Sequence, residues 1–278
     1  MKLKEIIILL SVIALFSSCS SYQKVLKKGS FDDKFNTGMD YYNKKDYYKA
    51  GMIFEAISAS CLGKPQMEDI KFYYAYCQYH QQAFMMSQYY FKEFTETFPR
   101  SKRTEEATYR AAESSYYQSP RYSLEQINSF RAIDDLQSFL MKYPFSKYKG
   151  EADAIIREME GKIEYKAFVG AKEYLKIREY KSAVVVLENF RLDFPASEFK
   201  EEVMFLKIEA QYELAIISYE QIEKDGEIIE LKKNRLTDVK LYYHDFIDSY
   251  PDSHFKKDAE KMYSSASAQL QMNKTKKK

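Results

Sequence analysis

Pro99, Pro144, Pro195 and Pro251 recur in one frame of neighbours, and no other feature of the chain constrains its fold as tightly. An aromatic precedes each proline: Phe98, Tyr143, Phe194 and Tyr250. A serine follows two residues later: Ser101, Ser146, Ser197 and Ser253. Five residues before the proline stands Phe94, Phe139, Phe190 or Phe246, and eight before stands Phe91, Leu136, Leu187 or Tyr243. Twelve before stands Ser87, Ala132, Ala183 or Val239. Steps of four, three and four residues trace the apolar stripe of an α-helix. Proline lacks an amide donor and pushes the preceding residue out of the α region, so each helix is expected to stop there. The serine is placed to cap the next helix by accepting a hydrogen bond from its free amides. Each unit is thus predicted to be helix, Pro-x-Ser turn, helix.

A fifth unit lies upstream without the proline. Gly38, Tyr41, Ala50 and Phe54 carry the small, aromatic, small, aromatic spacing of a tetratricopeptide repeat. Small residues there let paired helices approach closely, and the aromatic fills the groove beside them. Positions 50, 87, 132, 183 and 239 open successive stripes, so each unit is longer than the last and all exceed the family's usual length of about 34 residues. The surplus is placed in Glu113–Gln126, Lys147–Glu179 and Glu220–Asn234, as extended helices or longer turns. With 8 Gly and 6 Pro the chain has too few breakers for a many-stranded β fold. Residues 31–266 are therefore predicted to form an all-α, tetratricopeptide-like helical solenoid of about five helix-turn-helix units.

The N-terminus has a separate logic. Lys2 and Lys4 precede an apolar run from Ile6 to Phe16, and Ser17, Ser18 and Cys19 follow. A basic start, a short apolar core and small residues before a cleavage point make a secretory signal peptide over residues 1–18. The apolar run is shorter than the ~20 residues a transmembrane helix needs. Phe16-Ser17-Ser18-Cys19 resembles the bacterial lipobox, with Phe16 where Leu is usual, and makes Cys19 the expected site of lipidation. Residues 19–30 read as the lipidated cysteine and a polar tether. The absence of Asp or Glu just after Cys19 favours the periplasmic leaflet of the outer membrane. Residues 267–278 read as a basic tail, ending in Lys274, Lys276, Lys277 and Lys278, either solvated or in weak contact with anionic lipid heads.

A net charge of +2 gives no electrostatic case for nucleic acid. The chain has no nucleophile elbow, no phosphate-binding glycine loop and no HExxH pair, so no enzymatic activity is expected. His80, His244 and His254 are scattered, and no metal or cofactor is expected beyond the lipid on Cys19. Cys61 and Cys77 are expected to be small buried residues, with a bridge allowed by an oxidising compartment.

The lipobox, the tether Tyr22-Gln23-Lys24-Val25-Leu26-Lys27 and the aromatic-Pro-x-Ser turns together resemble the BamD family of the outer-membrane β-barrel assembly machinery, the tether being similar to that of homologues in the Bacteroides group. Ser119-Pro120-Arg121, then Gln126 and the run Ala132 to Ser146, are the most specific part of the likeness. Glu125, where Asp is expected, and the insertion Glu220–Asn234 depart from it. The resemblance implies a non-enzymatic scaffold whose C-terminal units meet the periplasmic domains of a BamA-like barrel insertase. Its N-terminal units would receive unfolded β-barrel proteins. Among the tyrosines crowding the first two units, Tyr41, Tyr42, Tyr73 and Tyr76 become candidate client contacts on the concave side, against the alternative that they only pack helices. Arg121 would pair with a partner's carboxylate, or hold its own loop against Glu113 or Glu125. The alternative function is a tetratricopeptide lipoprotein serving another envelope complex, in cell-wall or nutrient-uptake machinery.

Overall fold

The structure is a computed structural model that describes residues 22–220 and 227–275. The signal peptide, Cys19 and residues 276–278 lie outside the described residues, as does 221–226 of the last expected insertion. Among the described residues the secondary structure is helical throughout. The helices are α1 (22–28), α2 (Phe31–Asn43), α3 (Tyr47–Ser58), α4 (Met67–His80), α5 (Phe84–Thr97) and α6 (Thr104–Tyr117). There follow α7 (Ile127–Lys142), α8 (Lys149–Lys176), α9 (Tyr180–Asp193), α10 (Lys200–Glu220), α11 (Glu227–Ser249) and α12 (Lys256–Thr275). The surplus residues of the longer units lie in the 118–126 connection and in the lengths of α8, α10 and α11.

The described residues group into two compact units, one ending at Glu160 and the other beginning at Gly161. In the first, successive helices from α2 to α7 pack each on the next. Its cores join α2, α3 and α4 around Ala50, Phe54 and Ile57, then α4, α5 and α6 around Phe72, Phe91 and Phe94. A third core sets Tyr109, Leu136 and Phe139 against Tyr148, Ala152 and Ile156 of α8 and the turn before it. In the second unit Phe168 and Ala171 meet Ala183, Leu187 and Phe190 of α9 and Val203 and Ala210 of α10. There α11 and α12 close on α10 around Ile208, Leu236, Val239 and Phe246.

The stripe residues sit where their spacing placed them. Ala50, Phe54, Phe91, Phe94, Ala132, Leu136, Phe139, Ala183, Leu187, Phe190, Val239 and Phe246 are all buried. Tyr243 is only half-buried and stacks on Tyr263, with centroids 4.4 Å apart. Gly38 is buried because Phe54 crosses it: a Cβ there would lie 2.7 Å from Phe54 Cε1.

All four Pro-x-Ser turns share one hydrogen-bond pattern. The aromatic before the proline donates its amide to the carbonyl of the phenylalanine four residues back, at 2.8–2.9 Å. The serine hydroxyl accepts from the amide two residues on, at 3.0–3.1 Å, in Arg103, Tyr148, Phe199 and Phe255. The helices begin one residue later still, at Thr104, Lys149, Lys200 and Lys256. The serine therefore caps the turn leading into the helix, not the helix itself as the sequence suggested.

Both ends of the array differ from expectation. Residues 22–28 of the expected tether are helical, and Tyr22 is buried edge-on against Tyr41 at 5.5 Å. Ser30 then starts α2 with a capping box, accepting from Asp33 N and donating its own amide to the Asp33 carboxylate. The reason is amphipathicity: Tyr22, Val25 and Leu26 share one face of a short helix. At the other end α12 continues to Thr275, so residues 267–275 of the expected tail are helical. Cys61 and Cys77 are buried free thiols; Cys61 donates to Ser58 O, and burial pushes the Cys77 thiol up to about 12.

Candidate binding site

The first helix of each pair in the first unit, α2, α4 and α6, supplies a continuous aromatic and charged face. The spacing of Tyr73 and His80 puts them on one side of α4, while Phe72, Tyr74 and Tyr76 go into the cores. Tyr42 of α2 leans on Tyr73, with centroids 4.7 Å apart. Tyr47 stacks on His80 at 4.1 Å, and Tyr76 also lies nearly parallel to the His80 ring, at 5.7 Å. Further along, Tyr79 meets Phe84 and Tyr117, which stack on each other at 4.5 Å.

A polar network runs beneath these rings. Arg110 pairs with Glu113, and its guanidinium lies 5.6 Å from the centre of the Tyr79 ring. Tyr79 donates its hydroxyl to Glu113 at 2.9 Å, and Tyr76 donates to Glu106 while accepting from Arg110 Nε. Tyr109 donates to Glu151 at 2.9 Å, carrying the network onto α8. Burial, with the adjacent carboxylates, holds the Tyr76 and Tyr79 phenols well above the usual range, so they remain neutral donors. Burial alone would lower the Arg110 guanidinium, but its bond to Glu113 outweighs that and holds it raised. His80 is held below its ordinary value by burial and by Arg110 and Lys45.

The four candidate tyrosines divide accordingly. Tyr42 and Tyr73 are half-buried, with part of each ring open. Tyr41 is half-buried too, but packs against Tyr22 and the Lys49 ammonium, 5.1 Å from its ring centre. Tyr76 is a correction: it is buried, with both ring and hydroxyl engaged inside the unit, so it packs α4 on α6 rather than touching a ligand. The internal reading of Arg121 also fails. Glu113 is taken by Arg110, Glu125 accepts from the Gln126 amide, and the exposed Arg121 carries no ion pair among the described residues. Its loop is held by Gln126, whose side-chain amide donates to the carbonyls of Arg121 and Leu124, both at 2.9 Å.

Tyr47, His80 and Arg110 escaped the sequence reading. Counted from Met67 and Thr104, Arg110 and Glu113 take the places in α6 that Tyr73 and Tyr76 take in α4. Aligning the first helices of the pairs, instead of the prolines that end the second helices, would have found Arg110, though not Tyr47, which opens the second helix of its pair.

The second unit has a different surface. A cleft of about 680 Å³ between the end of α8 and α10 has Leu175, Leu206, Ile216 and Ile217 in its wall. Lys176 and Arg178 line it from one side, Glu209 and Glu213 from the other. Burial and the neighbouring Glu213 push the Glu209 carboxyl up, and neither acid has an ion pair among the described residues. No group of His, Cys, Asp or Glu among the described residues could hold a metal ion. No described helix is long and apolar enough to cross a membrane.

No curated protein matches the chain. Among solved structures, the crystal structure of the apo form of RapI aligns with a TM-score of 0.34 and 14% identity. That alignment covers 87% of this chain and 99% of that one. Residues 28–225 match the family YfiO, described as outer membrane lipoprotein. The match begins in α1, takes in every helix to α10 and contains both surfaces just described, so the chain belongs to the YfiO family of outer membrane lipoproteins.

Proposed function

We propose that the protein is a periplasm-facing scaffold of the β-barrel assembly machinery, anchored in the outer membrane by lipid on Cys19. In this reading it holds a BamA-like barrel insertase and receives unfolded barrel proteins. Membership of the outer membrane lipoprotein family carries the proposal, and the BamD resemblance of the Ser119–Gln126 loop and third-unit run narrows it.

The surfaces suit those tasks. The open parts of Tyr42, Tyr73 and Tyr79 offer ring faces, with Arg110 and His80 beside them, to an extended chain recognised by pattern rather than by one sequence. The cleft of the second unit offers a folded partner an apolar wall with Lys172, Lys176 and Arg178 on one side and Glu209 and Glu213 on the other, a mixed charge pattern that can fix register. No step of this function needs bond-making by the protein.

Extraction in mild detergent followed by pull-down of the chain should recover the insertase. Recovery of only cell-wall or nutrient-uptake proteins would overturn the assignment. Depletion should leave unassembled barrel proteins in the periplasm, and unchanged barrel levels would contradict it equally.

A further inference from the structure

Helices of the first unit alternate in direction, so its three within-pair connections, 44–46, 81–83 and 118–126, lie on one edge. Side chains join them there. Gln81 Nε2 donates to Tyr47 O at 3.3 Å, and Phe84 stacks on Tyr117. Gln118 Nε2 donates to Gln88 Oε1 at 3.0 Å, and Asn128 donates to Gln118 O.

The chain enters the fold at this same edge. Tyr22 is clamped beside the end of α2 by Tyr41 and by Lys49, whose ammonium is tied to Asp46 at 2.8 Å. Only Ser20 and Ser21 separate Cys19 from Tyr22, and the three steps of chain between them can span at most about 11 Å in any conformation.

The edge is unusually apolar for a surface. Tyr48 is 64% exposed, Met85 72%, Ile127 63% and Phe130 56%, from three different pairs. Lys44, Lys45 and Arg121 are exposed among them, against the carboxylates of Asp40 and Glu125. Apolar and aromatic side chains ringed by cations suit the headgroup boundary of a bilayer, where rings enter the interface and cations meet phosphate. Arg121, whose guanidinium forms no ion pair among the described residues, has the planar fork that binds phosphate through paired hydrogen bonds.

We infer that this edge of the first unit rests on the lipid surface, with Met85, Ile127 and Phe130 in the headgroup boundary and Lys44, Lys45 and Arg121 on lipid phosphates. The inference rests on the lipidation of Cys19 given above. It turns the anchor from a loose leash into a fixed orientation, because the docked α1 leaves almost no free chain. Phe145, 98% exposed on the opposite edge, then faces away from the membrane.

The chain contains no Trp, so a single introduced one reports its own surroundings. Full-length lipidated F130W and F145W would be reconstituted in phosphatidylethanolamine–phosphatidylglycerol vesicles containing brominated acyl chains. Quenching should be roughly twofold or more stronger for F130W than for F145W, since an interfacial surface enters only about 5–10 Å. M85W, on a different turn, should behave as F130W does. Unquenched Trp at both 85 and 130 in vesicle-bound protein would overturn the inference, and so would equal quenching at 145. Flotation of wild type against C19S separates the two claims. If both float alike the lipid reading fails and this orientation falls with it. If only wild type floats and its reporters stay unquenched, the anchor stands and the orientation alone is refuted.

Discussion

Phe54 lies so close over Gly38 that the space for one methyl group decides whether α2 can meet α3. A Cβ at position 38 would stand 2.7 Å from Cε1 of a fully buried ring, which has no room to swing away. Gly38→Ala should therefore cost about 1–3 kcal/mol of unfolding free energy, measured by urea titration. The cost should shrink in an F54L background, because contacting residues couple; an unchanged penalty would place the strain elsewhere. Glu188 gives a residue-level effect of opposite character. Its carboxylate accepts from Arg191 Nε at 3.0 Å, from Arg191 Nη2 and from Lys207 at 2.7 Å. The Arg191 hydrogen bonds, then Lys207, hold its carboxyl at about 2 against an ordinary 4.5. A depressed folded-state value means the stabilisation is complete above pH 4.5 and is lost as pH falls through about 2. The group is partly solvated, so screening leaves only about 1 kcal/mol. The gap in urea midpoint between wild type and E188Q should hold from pH 7 to 4.5 and close below it. A gap that persists at pH 2 would show that the hydrogen bonds, not the charge, carry it.

Three connections within helix pairs end their first helix in the same way. Lys45, Gln82 and Arg178 have φ of 61°, 60° and 62°, each donating its amide three residues back while the next residue donates five back. This is the Schellman C-cap, which glycine fills without strain. A side chain with a Cβ pays roughly 1 kcal/mol there. Q82G and R178G should each raise stability by up to about 1 kcal/mol, less the extra freedom glycine gives the unfolded chain. A fall in the urea midpoint would mean that the native side chains contribute contacts outweighing the strain. These turns also show why legibility was uneven. The second helix of four pairs could be read because proline ends it and its stripe faces a core on every turn. The first helix ends on Lys, Gln or Arg at the left-handed position, so no glycine marked it. The burial of Tyr76 was invisible for another reason: Glu106 and Arg110, which enclose it, come from the next pair along the chain. The burial of Tyr22 likewise depends on Tyr41 and Lys49, which come from α2 and α3 and which its own short amphipathic helix does not name.

At the scale of the molecule, two units with separate cores permit separate binding tasks. The face of α2, α4 and α6 belongs wholly to the first unit, and the cleft of α8 and α10 to the second. If the first receives unfolded barrel proteins and the second docks the insertase, substitutions should divide the function cleanly. Y42A/Y73A removes two half-buried rings while leaving α10 untouched, and truncating such aromatic anchors characteristically weakens binding by about tenfold or more. Photo-crosslinking of a barrel-strand peptide to this variant should fall by that order, with insertase recovery in pull-down unchanged. E209K/E213K replaces both acids of a cleft already lined by Lys172, Lys176 and Arg178 and should do the converse, because the complementary charge pattern is lost. The urea midpoint of each unit, followed by hydrogen exchange, must stay near wild type for either result to count as a binding effect. Should both variants lose both partners while remaining folded, the two surfaces would form one coupled site, and the division of labour would be wrong.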